Sequence, residues 1–268
     1  IRLQLLPYII IHLSLLRSSS LISIPYHENL KGFFYQRTNR FRTFMLGIIG
    51  GTSLLDYKGS ELSIFEQNTP YGTSELFKGD GFLLLLRHQN RCAPHKIPYR
   101  SHIAALKLAG VEQIIALGST GSLREDIPPG TRIIPDDFVS LAPIPSIYNH
   151  SIGHANPMFD SYLRSHLANL CPDAKKGGTY IQTCGPRLES RPEIIWMAQL
   201  AHVVGMTIGS ELTVAHELNL PFAAICTIDN YANGICNAEI SYDSILKTVR
   251  ENQEKTLELL NHIIESVS

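Results

Sequence analysis

Thr183-Cys184-Gly185-Pro186-Arg187-Leu188-Glu189-Ser190-Arg191 is the stretch on which the fold turns. The run Thr179 to Thr183 ends at a Gly-Pro pair. Pro cannot extend a strand ladder, and Gly accepts dihedrals closed to other residues. Pro192 then suits the first turn of a helix. The predicted order is strand, turn, helix, with the Glu189 carboxylate at the strand's carboxyl end, where ligands bind in open α/β sheets. The plain alternative is a solvated loop whose Glu caps the helix.

Bulk properties narrow the field. A chain of 268 residues suits one large domain or two small ones and can bury a substantial core. A net charge of −1 gives no electrostatic footprint for nucleic acid or an anionic membrane. Five cysteines without a CxxC or a Cys/His zinc spacing suggest reduced thiols in a cytoplasmic protein.

The first 44 residues differ from the rest. Leu3 to Leu16 is apolar but short for a bilayer span. It resembles a signal-peptide core, yet Ser18 to Ser20 offers a weak cleavage site and a basic, aromatic segment follows. Met45 directly precedes a clean strand-and-glycine motif. The expected organisation is therefore a functional domain over residues 45–268 and an upstream extension, of the kind a gene-model artefact produces, over 1–44.

From Met45 onward, apolar runs alternate with polar turns. Leu46 to Gly50 reads as a buried strand running into Gly50-Gly51-Thr52-Ser53, whose backbone N–H groups and hydroxyls suit phosphate. Phe82 to Leu86 is a second strand, ending in Arg87-His88. Arg carries a donor fork matched to phosphate oxygens, unless it sits in a surface salt bridge. His88, His95 and His102 do not share a helical face, so no metal site is expected. A helix through Ile103, Leu106 and Leu108 stops at Gly110, and Val111 to Leu117 is a third strand closing on a turn, Gly118 to Leu123.

Arg132 to Val139 is a further strand. Residues 143–160, which include His154, are long for a structureless connection and so read as functional. The helix after Pro192 carries Ile195, Met197 and Leu200. Ser210 with Glu211 reads as an N-cap and first-turn acid. The last strand, Phe222 to Ile228, ends in Asp229-Asn230-Tyr231, and a final helix spans Ser244 to Val267.

In order and spacing these pieces resemble the trimeric purine nucleoside phosphorylase and methylthioadenosine phosphorylase family. Those that match are Gly50-Gly51-Thr52, Arg87-His88, Gly121-Ser122-Leu123-Arg124, Gly185-Pro186-Arg187, Gly205-Met206-Thr207 and Asp229-Asn230-Tyr231. The resemblance implies a single-domain α/β nucleoside phosphorylase fold, with a mixed central sheet, partly barrel-like, flanked by helices. It implies transfer of a ribosyl group from a purine to inorganic phosphate, a co-substrate, with no cofactor and no metal. Thr52, Arg87, His88, Ser119 and Thr207 would form the phosphate site, with Thr120 as the alternative to Ser119. Met206 would line the ribose, and Tyr242, with Ile240, the pocket for the 5′ substituent. His154 would approach the sugar site of a neighbouring subunit, hence an expected homotrimer or dimer of trimers. Leu188, Glu189, Asn230 and Ala232 would face the base, with Glu189, Asn230 and His88 as the catalytic groups.

Base preference follows from hydrogen bonding. A 6-oxopurine carries a proton on N1, whereas adenine N1 is an acceptor. An ionised Glu189, acceptor-only, therefore favours hypoxanthine or guanine. Asn230 can accept the N7 proton while its NH₂ donates to O6. Adenine-specific relatives have Asp at the positions of Asn230 and Ala232. Leu188 stands where the family has a stacking Phe, and the loop Gln89 to Pro94 is short and lacks the usual histidine. The expected function is phosphorolysis of inosine, guanosine or 5′-methylthioinosine. The alternatives are a methylthioadenosine phosphorylase, a nucleosidase and a silent nucleoside-binding protein.

Overall fold

The structure, a computed structural model, describes residues 45–55, 57, 62–236 and 242–266, with the backbone alone for Tyr242, Asp243, Ser244 and Leu246. The expected 1–44 extension, Ile240 and the Tyr242 side chain lie outside this description.

Along the chain run β1 (Leu46–Gly50), β2 (Ser63–Thr69), β3 (Gly72–Lys78), β4 (Phe82–Leu86), α1 (Tyr99–Leu108), β5 (Gln113–Ser122), β6 (Arg132–Ile134) and β7 (Asp137–Ser140). Then come α2 (Ser161–Leu170), β8 (Lys175–Lys176), β9 (Thr179–Gln182), α3 (Arg191–Met197), β10 (Val203–Gly205), α4 (Ile208–Glu217), β11 (Phe222–Tyr231), α5 (Tyr242–Glu251) and α6 (Gln253–Glu265).

Four strands read as continuous apolar runs because both of their faces are covered. Ile49, Leu83, Leu85, Ile114, Ala116 and Ala224 point to one core, shared with Ile103 and Leu106 of α1 and Leu212 and Ala215 of α4. Their neighbours Ile48, Leu84, Ile115, Leu117, Ala223 and Ile225 point to the other, shared with Leu163 and Leu167 of α2 and Leu259, Leu260 and Ile263 of α6. The period-2 alternation of a strand divides these residues between two helical layers.

β1 lies parallel between β4 and β5, and β11 pairs parallel with β5 on β5's other edge. The carboxyl ends of all four strands therefore point the same way. The far half of β5 pairs antiparallel with β10, which runs parallel to β9. β7 pairs with β9 and β6 with β8 in one continuous register, Ile133↔Lys175 through Ser140↔Gln182. β6 also pairs antiparallel with β11. The ring β5–β10–β9–β7/β6–β11–β5 is thus closed, which gives the mixed, partly barrel-like sheet.

Several boundaries differ from the sequence reading, each for a packing reason. Residues expected as a turn after Leu117 continue β5 to Ser122, because β11 and β10 supply ladder partners along its full length. β11 likewise runs through Asp229 and Asn230 to Tyr231, with a register shift between Ile228 and Asn230. The single strand expected over Arg132 to Val139 breaks at Pro135-Asp136, opposite Gly177-Gly178. The final helix is two, separated at Asn252. On α3 the buried residues are Ile194 and Met197, while Ile195 and Leu200 are exposed, as is Leu108 at the end of α1. The hairpin β2–β3 and helix α2 were not anticipated. The connection from Leu141 to Asp160 carries neither strand nor helix, as expected.

Candidate active site

The ends of β1, β4, β5 and β11 open onto one cleft of about 910 Å³. Thr52, Arg87, His88, Ser119 and Thr207 contribute to its wall, with Thr120 beside Ser119. Leu188, Glu189, Met206, Asn230 and Ala232 line it too. Residues from six separate segments thus meet in one place. His154 is exposed in the Leu141–Asp160 connection and does not line the cleft of the single chain.

Arg87 is held deep in the wall rather than in a surface salt bridge. Its Nε and Nη2 donate to the Glu211 carboxylate at 2.5 and 2.8 Å, and Nη1 donates to the Leu117 carbonyl at 3.0 Å. Both side chains are 2% exposed. Burial opposes the Arg87 charge, but the Glu211 carboxylate overrides it and the guanidinium pKa is raised. Of its five N–H groups, two have no partner among the described residues and remain for a ligand. Gly51 makes room for the fork: a Cβ there would lie 2.5 Å from Arg87 Nη1.

Glu211 therefore has a role that its sequence position hid. The first turn of α4 is arranged differently from the Ser210 cap expected. Thr207 is the N-cap residue, and its side chain makes no capping bond. The Tyr180 hydroxyl accepts from Thr207 N at 3.1 Å and Ile208 N at 3.3 Å instead. Ser210 is engaged by Gln182 through two hydrogen bonds, Gln182 Nε2 to Ser210 Oγ at 2.7 Å and Ser210 N to Gln182 Oε1 at 3.0 Å. The Thr207 hydroxyl is thereby spared at the cleft wall.

His88 is partly buried, and its Nδ1 lies 2.8 Å from the Cys92 carbonyl, which can only accept. Burial lowers its pKa, and the neighbouring Arg87 charge lowers it further, against the pull of the Cys92 carbonyl. That carbonyl calls for a ring proton on Nδ1, and burial favours the neutral imidazole over the charged one.

Glu189, also in the cleft wall, is buried, and its Oε1 accepts from Thr183 Oγ1 at 2.5 Å. Gly185, at φ +61°, supplies the left-handed residue that the turn before Pro186 requires. Glu189 does not cap α3; Glu193 does, accepting from Ser190 N at 2.7 Å. Asn230 Nδ2 donates to the Tyr231 carbonyl at 2.7 Å, which fixes its amide plane.

Two further polar side chains belong to the arrangement. Thr183 orients Glu189, and Asp229, which the sequence reading left without a role, lines the cleft and accepts the Ser119 hydroxyl. Burial raises the Asp229 carboxyl to about 7. The detectable signal was two consecutive polar residues closing an apolar strand, the pattern a bulge allows. Among the described residues no group of three or more His, Cys, Asp or Glu is arranged to hold a metal ion. None of the described helices is long and apolar enough to cross a membrane.

The cleft thus brings the Arg87 N–H groups that Glu211 and Leu117 leave unused together with the Glu189 carboxyl and the Asn230 amide. Such an arrangement can hold an oxyanion near the sugar carbon of a nucleoside. The family model of the phosphorylase superfamily matches residues 45–265. A protein of Archaeoglobus fulgidus named "Probable 6-oxopurine nucleoside phosphorylase" is 40% identical, covering 83% of this chain and 97% of that one. A protein of Methanocaldococcus jannaschii named "Probable S-methyl-5'-thioinosine phosphorylase" is 36% identical, covering 82% and 92%. Among solved structures, the methylthioadenosine phosphorylase from Schistosoma mansoni in complex with adenine superposes with a TM-score of 0.77 at 22% identity, covering 84% and 91%, a likeness of fold. Matched along the whole of its described domain and 40% identical to a curated relative, the chain belongs to the phosphorylase superfamily.

Proposed function

We propose that the chain catalyses phosphorolysis of 6-oxopurine nucleosides, releasing the free base and ribose 1-phosphate or its 5-methylthio analogue. The observation that carries this reading is the pairing, in one cleft, of Arg87 with Glu189, Asn230 and Ala232. Phosphate, held by Arg87, His88, Thr52, Thr207 and the Ser119 segment, attacks the anomeric carbon as the glycosidic bond breaks through an oxocarbenium-like state. The site holds the dianion against the sugar and stabilises the departing base. Glu189 accepts from N1–H, and Asn230 bonds the N7 and O6 edge. Neither a metal nor a cofactor enters this scheme. Homotrimers, or dimers of trimers, with His154 reaching a neighbour's sugar site, and a cytoplasmic location complete the proposal.

A 5′-methylthioinosine substrate is the second reading, favoured by the name of the Methanocaldococcus relative and by Leu55, Pro94 and Ile245 in the cleft wall. The test is base release from inosine, guanosine, 5′-methylthioinosine and 5′-methylthioadenosine, each with and without phosphate. Phosphate-dependent release from the 6-oxopurine substrates is expected, and their ranking reports the 5′ group. Release without phosphate makes the protein a nucleosidase, fast turnover of methylthioadenosine overturns the base reading, and binding without turnover makes it a silent binder.

A further inference from the structure

Asp229 is a cleft residue that the scheme above does not use. It lies at the register shift of β11, where Ile228 pairs with Thr120 and Asn230 with Gly121. A bulge of this kind frees one residue from alternation and re-aims it. Asp229 and Asn230, consecutive in the chain, accordingly both line the cleft. Ser119, on the adjoining strand, donates its hydroxyl to Asp229. A hydroxyl spent on a carboxylate is not a donor for phosphate, but its lone pairs remain acceptors.

We infer that Ser119 and Asp229 form a proton relay from the attacking phosphate to the departing purine, with Asp229 as the general acid. This inference rests on the phosphorolysis reading. As phosphate oxygen bonds to the anomeric carbon, the carbon–nitrogen bond breaks and its electron pair stays on the base. The protonated Asp229 gives its proton to N7, whose N–H then donates to the Asn230 carbonyl; Ser119 passes its own proton to the Asp229 carboxylate, and the hydrogenphosphate P–OH passes its proton to Ser119 Oγ. Asp229 and Ser119 end as they began, and the products are the neutral base and the sugar phosphate dianion.

Burial of the carboxyl supports the assignment, since it keeps Asp229 protonated up to about 7. Burial is the cause of the Asp229 shift, and other charged and titratable groups share its surroundings. Arg87 and His88 at the end of β4, Arg91, and Glu189 before α3 share the cleft, Glu211 on α4 is paired with Arg87, and the Cys226 thiol lies on its own strand.

The experiment compares inosine with 7-methylinosine, whose base departs without needing a proton, at saturating phosphate from pH 6 to 9. In Asp229→Asn, kcat on inosine should fall about 10²–10⁴-fold, the range of a general acid. The ratio of inosine to 7-methylinosine rates should fall with it, and the basic limb of the inosine profile should vanish. Ser119→Ala should lower the same ratio, and the double variant should lose no more than Asp229→Asn alone. Equal losses on both substrates, additive losses or a retained basic limb would overturn the relay. If Asp229→Asn does not fold, Ser119→Ala still decides. A wild-type chain that releases no base from inosine with phosphate removes the phosphorolysis reading, and the relay with it.

Discussion

At the scale of single residues, Arg87 and Glu211 carry the largest energetic stake. A buried pair is weak evidence of net stabilisation, but removing one partner leaves an uncompensated charge and costs about 3–5 kcal/mol. Glu211→Ala should therefore lower unfolding stability by about that amount in urea titrations and weaken phosphate binding, since Arg87 loses the partner that aims it. A variant of unchanged stability would show the pair to be relaxed by water. For the base, Asn230→Asp with Ala232→Asp should shift selectivity toward adenine nucleosides, and unchanged selectivity would remove both residues from base recognition. Asp229 makes a prediction about pH. Its folded pKa of about 7 lies above the ordinary carboxyl value of about 3.9. The folded state therefore binds that proton more tightly than the unfolded one, and stability is lost as pH rises from about 4 through about 7. Asp229→Asn carries no such proton. Its unfolding free energy relative to wild type, read from urea titrations, should climb between pH 4 and pH 8, toward a gain on the order of 4 kcal/mol. A difference flat in pH would mean the carboxyl is not desolvated.

At the scale of elements, the connection from Leu141 to Asp160 is tied to α4 by one side chain. Glu217 accepts from Ser146 Oγ at 2.8 Å and from Ile147 N at 2.7 Å. Glu217→Ala should free this segment at a cost of about 1–3 kcal/mol and speed proteolytic cleavage within 141–160; unchanged cleavage would show the segment is held elsewhere. The same elements show what a sequence can disclose. β1, β4 and the start of β11 were legible because two covered faces leave an unbroken apolar run. That Arg87-His88 and Asn230 meet at one cleft was legible from their place as polar residues at the ends of such runs, whereas Asp229 was given no role. The extension of β5 through Gly118 to Ser122 was not, because glycine and hydroxyl residues read as a turn until β10 and β11 supply partners. Glu211 read as a first-turn acid for the same reason: its partner Arg87 lies 124 positions away. The hairpin β2–β3 is half exposed and polar, so its strands carry little apolar signal.

At the scale of the whole molecule, the surface is informative. The single chain exposes Leu141, Ile152 and Met158 on one connection and Ile195, Trp196 and Leu200 on and beside α3. Isolated exposed apolar residues need no explanation, but grouped ones mark association surfaces. Ile152 is 96% exposed, two positions from His154. If this connection docks on a second copy, association and substrate binding are coupled, because the same segment brings His154 to the neighbour. Wild-type protein should then sediment as a multiple of 29.9 kDa at micromolar concentration. Ile152→Glu with Met158→Glu places charges where apolar contact is needed and should shift the protein toward monomer. The nucleoside KM should rise about tenfold, or about 1.4 kcal/mol, with kcat less affected, since Arg87 and Asn230 stay within one chain. A wild-type monomer with full activity would remove both the assembly and the role of His154. An oligomer that the double substitution leaves intact would move the interface to another face of the molecule.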